Sequence, residues 1–158
     1  MKLTLTFDDG GSQAAFRRLS APGLDARLCK VMAETYTTAI RDYIAAGHSF
    51  TSRTGHLEQS INWRPDGDGA TVFATAEYAP YLEFGTGTHG PKGQPYEIKP
   101  KPGRKALRFP MGGGDVLRKK VIHPGIEASP YFFSDTDHRE TLLADASRDY
   151  LAELVGGH

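Results

Sequence analysis

Between Leu24 and Gly47 the apolar positions fall at Leu28, Val31, Met32, Tyr36, Ala39, Ile40, Tyr43 and Ile44, three and four residues apart. That spacing lays one apolar stripe along a helix. Gly47 is placed to close it, because glycine takes the left-handed backbone of a helix C-terminus without a Cβ clash. Leu28, Val31, Met32, Ile40 and Ile44 are expected to pack against a sheet. Upstream, Lys2–Phe7 alternates Leu3, Leu5 and Phe7 with polar residues, the period of a half-buried strand. A turn at Asp8–Gly11 and a short helix through Phe16 and Leu19 follow, and Ala21–Gly23 breaks that helix.

Downstream, Thr54 is a candidate N-cap for a short helix over Gly55–Ser60. "INWRP" and "ATVFATAE" flank Asp66-Gly67-Asp68-Gly69, a hairpin signal. Tyr78–Phe84 reads as a helical turn with Tyr81, Leu82 and Phe84 available for packing. A Gly/Pro-rich stretch from Gly85 to Gly103 has neither period. "ALRFP" and "VLRKKVI" form a second hairpin across Met111–Asp115. Ser129-Pro130 reads as a helix start, serine as cap and proline at the first position, and Leu142, Leu143, Ala146, Tyr150 and Leu154 carry that helix nearly to the end. These elements predict an α+β fold: a small antiparallel sheet of hairpins packed against the long helix of the N-terminal half, with a C-terminal helix. The whole chain, 1–158, is expected to be one domain with a protruding loop or arm at about 85–105.

The length, 158 residues, suits such a domain, and 39% hydrophobic with 24% charged residues is ordinary for a globular chain. Cys29 is the sole cysteine, so no intrachain disulfide or thiolate metal cluster can form. No apolar run approaches the roughly 20 residues that span a membrane, and the N-terminus lacks a signal-peptide core. The chain is therefore expected to be made in a cytoplasm.

Gly85, Gly87 and Gly90 spell G-x-G-x-x-G, but no strand-to-helix context surrounds them and Pro91 and Pro95 follow. A dinucleotide fingerprint needs that context, so the glycines read as a mobile loop. Gly90-Pro91-Lys92-Gly93 lacks the G-K-[ST] of a phosphate loop. The six histidines show no ligand spacing, and no G-x-S-x-G elbow is present. No catalytic, cofactor-binding or metal-ligating residue is assigned, and no enzymatic role is expected.

Net charge is zero, with 19 basic and 19 acidic residues, yet the signs are segregated. Lys99, Lys101, Arg104, Lys105, Arg108, Arg118, Lys119 and Lys120 lie together against one acid, Asp115. Asp135, Asp137, Glu140, Asp145, Asp149 and Glu153 run along the C-terminal helix. A basic face of one copy meeting the acidic face of the next suits self-association. DNA phosphates are the other fitting partner.

Three segments occur in order: "TGHLEQSI" (Thr54–Ile61), "YAPYLEFGT" (Tyr78–Thr86) and "SPYFF" (Ser129–Phe133). Together they resemble the neck and tail-completion (head–tail joining) proteins of long-tailed bacteriophages. In that family a T-G-x-L-x-x-S segment precedes a hairpin, Y-A-x-Y-x-E-F-G-T follows it, and a P-F motif opens the last helix. Tyr131 stands where the family usually has Phe, and the loop from Gly85 to Gly103 is extended. The resemblance implies a structural virion protein, made in the bacterial host cytoplasm. Its partners would be copies of itself in a ring, expected to be hexameric, and neighbouring head-closure, tail-terminator or tail-tube proteins. DNA passing through the lumen is a further contact, and no membrane is involved.

The expected partner-interface residues are Tyr81, Glu83, Phe84, Gly85 and Thr86, with Lys99, Lys101, Arg104, Lys105, Arg118, Lys119 and Lys120. Tyr81, Leu82 and Phe84 would anchor the segment in the core or an interface, Glu83 would pair with a nearby basic residue, and Gly85 onward would free the chain to reach a neighbour. The alternative is a small DNA- or RNA-binding module using the basic hairpin 99–120.

Overall fold

The computed structural model describes residues 23–67 and 69–156. The strand over Lys2–Phe7 and the helix through Phe16 and Leu19 lie outside the described residues. The fold is α+β, with helices and three separate two-stranded antiparallel sheets. The described chain forms two compact units. Residues up to Ala76, with those from Phe133 onward, make the first; Glu77–Phe132, one continuous stretch, makes the second.

The first unit is built on helix α1, Leu24–Ala45. Gly47 takes φ 75° one residue beyond the cap, and its N–H donates to Ile44 O at 2.9 Å. This closes the helix as its sequence predicts. Helix α2, His56–Ser60, follows a left-handed Gly55, and Thr54 Oγ1 accepts the His56 N–H at 3.4 Å. Strands β1 (Ile61–Asp66) and β2 (Gly69–Ala74) pair with Asp66 opposite Gly69, so the hairpin turns in two residues.

Both hairpin strands and the C-terminal helix pack on α1. Its deepest line is Ala33, Thr37, Ile40 and Ile44, while Leu28, Val31 and Met32 are only half-buried. A helix covered from two sides buries a wider face than a stripe read for one sheet, and its centre falls on small residues. Leu57 of α2 and Ile61 of β1 complete this core. Arg41 of α1 fastens the end of α2, donating Nε to Glu58 O at 3.1 Å and Nη2 to Ile61 O at 2.5 Å.

Helix α4 spans Thr136–Gly156. Its start lies six residues beyond the Ser129-Pro130 signal, because the amides that would open a helix there are bonded elsewhere, as described below. Arg139 of α4 is buried, with its guanidinium over the rings of Tyr36 and Tyr43 at 5.4 and 5.3 Å. These cation–π contacts favour the buried guanidinium.

The second unit holds helix α3 (Ala79–Phe84), a 3-10 turn at Gly87–His89, strands β3 (Tyr96–Ile98) and β6 (Val121–His123), and the hairpin β4 (Leu107–Met111) with β5 (Gly114–Arg118). Gly112 and Gly113, at φ 53° and 95°, make its two-residue turn, the mirror-image geometry that matches strand twist. The stretch expected to be one strand, Val116–Ile122, divides: β5 ends at Arg118 and β6 turns to β3, with Tyr96 opposite His123 and Ile98 opposite Val121.

Candidate interaction site

Helix α3 keeps its register through one acidic residue. Glu83 is buried, and its Oε2 accepts the N–H groups of both Tyr131 and Phe132 at 2.8 Å. Leu82 O accepts the Ser129 N–H at 2.8 Å. Residues 129–132 are thus tied as an extended strap across α3, and their amides are spent on that contact. The sequence suggested a basic partner for Glu83; the two amides are a contact it did not suggest, and they suit a buried carboxylate because a buried charge needs charge-assisted donors and two adjacent N–H groups supply them. Tyr131 is buried, and burial first, then the nearby Glu83 carboxylate, pushes its phenol up to about 12.

Tyr81 and Phe84 are not core anchors, being 56% and 52% exposed. The apolar anchor of the segment is Ala79, which is buried. The helix turns its carboxylate inward and its aromatic rings outward, the reverse of what residue hydrophobicity suggests.

Gly85–Gly90 is a clasp and not a free hinge. Thr86 N–H donates to Ile126 O at 2.9 Å, and Ile126 N–H returns a bond to Thr86 Oγ1 at 3.0 Å. Thr88 donates to Pro124 O through both its N–H, at 2.6 Å, and its hydroxyl, at 2.8 Å. Gly125 N–H donates to His123 Nδ1 at 2.9 Å, and that ring stacks on Tyr96 with centroids 5.4 Å apart. A Cβ on Gly87 would overlap Pro124 O, and one on Gly125 would overlap Thr86 O. The glycines expected to give slack instead permit two backbones to touch. Pro124-Gly125, a turn dipeptide directly after a strand, was the available signal for this partner.

Beside the clasp lies a groove of about 600 Å³, walled by Tyr81, Phe84 and Tyr96, floored by Gly85–Gly87, with Lys92 at its edge. Strand β3 crosses the stretch read as an irregular arm, so the segment 85–103 is partly paired backbone.

The predicted basic residues separate into two groups. Glu97 binds Lys99 Nζ at 2.9 Å and Lys120 Nζ at 3.0 Å. These contacts hold the Glu97 carboxyl below its usual range and the Lys99 amine above its own, Lys99 being the first cause for Glu97 and the Glu97 hydrogen bond for Lys99. Arg108 pairs with Asp115. Lys101, Arg104, Lys105, Arg118 and Lys119 are exposed. Leu107 stands opposite Arg118 in the β4–β5 ladder. This register sets residues just before β4 beside those just after β5, so two basic runs distant in sequence share one end of the ribbon. Leu117 of β5 and Ile122 of β6 are 63% and 59% exposed; neither was singled out in the sequence.

Neither protein-family models, nor curated proteins, nor solved structures gave a match to this chain. No helix among the described residues is long and apolar enough to cross a membrane.

Proposed function

We propose that this chain is a structural, non-catalytic protein of the neck of a long-tailed bacteriophage, a subunit of an oligomeric ring that joins or completes the tail at the head–tail interface. The observation that carries the reading is the fastening of "YAPYLEFGT" to "SPYFF" through Glu83 and Leu82. The two segments that bear the resemblance lie more than forty residues apart in sequence, yet they share one structural task. A glutamate inside the first motif and amides inside the second give a physical reason for the two to occur together.

On this reading the exposed rings of Tyr81 and Phe84, with the basic ribbon end, face neighbouring subunits or neck proteins, and the virion is the site of action. A hexameric ring, the expected assembly, brings head-closure, tail-terminator or tail-tube proteins into contact with it. The alternative, a nucleic-acid-binding module, draws on the same gathering of cations, because a phosphate backbone answers to such a patch.

The test is complementation. A phage deleted for this gene should accumulate unjoined heads and tails, and supplying the chain should restore joined particles in which antibody labelling places it at the neck. Joined particles in its absence would refute the proposal.

A further inference from the structure

We propose that the basic end of the β4–β5 ribbon docks on the acidic face of α4 of a second copy of this chain. The inference extends the neck reading by naming the contact between neighbouring subunits and rests on it to that extent. Its test reads association in solution, so either can fail without the other.

The ribbon end mixes charge with apolar surface. Lys105, Arg118 and Lys119 are exposed cations at the ribbon end, Leu117 is a large exposed side chain next to Arg118 in β5, and Ile122 is another in the strand that follows, β6. A phosphate backbone would use the cations and leave the two aliphatic residues wet. A protein face bearing both carboxylates and small apolar residues would use all of them. The second unit as a whole carries nine Lys and Arg against five Asp and Glu.

Helix α4 offers the complement. Asp145, Asp149 and Glu153 are spaced four apart, so they form one line along the helix, and all three are exposed. Ala152 is exposed beside them, with Val155 one turn further on. Arg148 pairs with Asp145 at 2.8 Å, but the last turn holds no basic residue, so there the negative end of the helix dipole adds to the charge of Asp149 and Glu153. Cations from a neighbour would offset both.

A contact between two different faces of the same chain is heterologous. Each copy then keeps one free ribbon end and one free helix, and the assembly grows until it closes as a ring or runs on as a filament. Screening by salt should weaken the contact.

The experiment is sedimentation of the full chain over a concentration series at low and high salt, with two variants. One carries Arg118→Glu and Lys119→Glu; the other carries Asp149→Lys and Glu153→Lys. All four positions are exposed, and far-UV circular dichroism with melting verifies folding. The wild type should self-associate, more weakly as salt rises. Each variant alone should associate on the order of a hundredfold more weakly, because like charges then oppose each other. Mixing the two variants should restore association, since the reversed ribbon of one meets the reversed helix of the other. Variants that associate like the wild type, a wild type that stays monomeric throughout, or a mixture that stays apart would each overturn the proposal. So would retardation of duplex DNA by the wild type that the ribbon variant loses while the mixed variants remain separate, which would assign the patch to nucleic acid.

Discussion

The two units of this chain are held together by different physics. In the first, aliphatic side chains of α1, α2 and β1 are removed from water, with Ile40, Ile44 and Ile61 almost fully buried. In the second, Ala79 and Tyr131 are the buried apolar residues among those described, while Tyr78, Tyr81, Phe84, Tyr96, Leu117, Ile122 and Ile126 are substantially exposed. A two-stranded ribbon is marginal alone. What the second unit has in place of a large core is backbone contact: Glu83 on two amides, and a glycine clasp that admits no Cβ. A unit fastened this way can leave its large side chains outside, where another protein can reach them.

The largest difference between the two units is expected at the clasp. Gly125→Ala forces a side chain against Thr86 O at φ 106°, and should cost at least about 4 kcal/mol. Gly103→Ala, at φ 86° but in open space, should cost about 1–2 kcal/mol. Hydrogen exchange read separately for 77–132 and for α1 checks this, and equal costs at the two glycines would remove the clasp from the account. In the first unit, Ile40→Ala should cost about 2–5 kcal/mol from lost burial and a residual cavity, visible as a lowered melting temperature. A near-neutral shift would mean that the α1 face is not core.

Glu83→Ala leaves two amides without their acceptor and should cost about 2–4 kcal/mol. Glu83→Gln keeps one acceptor oxygen and should cost less. The smallest expected effect concerns pH. The Tyr131 phenol is raised from its ordinary 10.0 to about 12, so the folded state favours its protonated form. That contribution is fully present below pH 10 and is lost as pH rises through about 12. Denaturant unfolding across this alkaline window should show the loss, and Tyr131→Phe should flatten it.

Much of the first unit was legible in the sequence because burial there is periodic. The three-and-four spacing from Leu28 to Ile44 and the Gly47 stop gave α1, and Asp66–Gly69 gave the hairpin turn. Thr37 was missed because a hydroxyl does not count as apolar, though the packing needs a small residue there. In the second unit the deciding contacts have no period. Nothing in "GTGTHG" announces that its glycines meet Pro124-Gly125, and nothing in "SPYFF" announces that its amides are held by a carboxylate far upstream, so a good helix-start signal at Ser129-Pro130 is overridden. The three-residue strands β3 and β6 are too short to show alternation. The basic residues were visible as a list; their division into ion-paired and unpaired groups depends on Glu97 and on a strand register that only the fold provides.

On the proposed function, the second unit carries the joining surface of a neck protein. The direct measurement is the count of joined, infectious particles when a phage lacking this gene is supplied with the Arg118→Glu, Lys119→Glu variant, its melting curve matched to that of the wild type. Rescue by the wild type and few or no joined particles with the variant is the predicted result; particle numbers equal to wild type from the folded variant would contradict the claim.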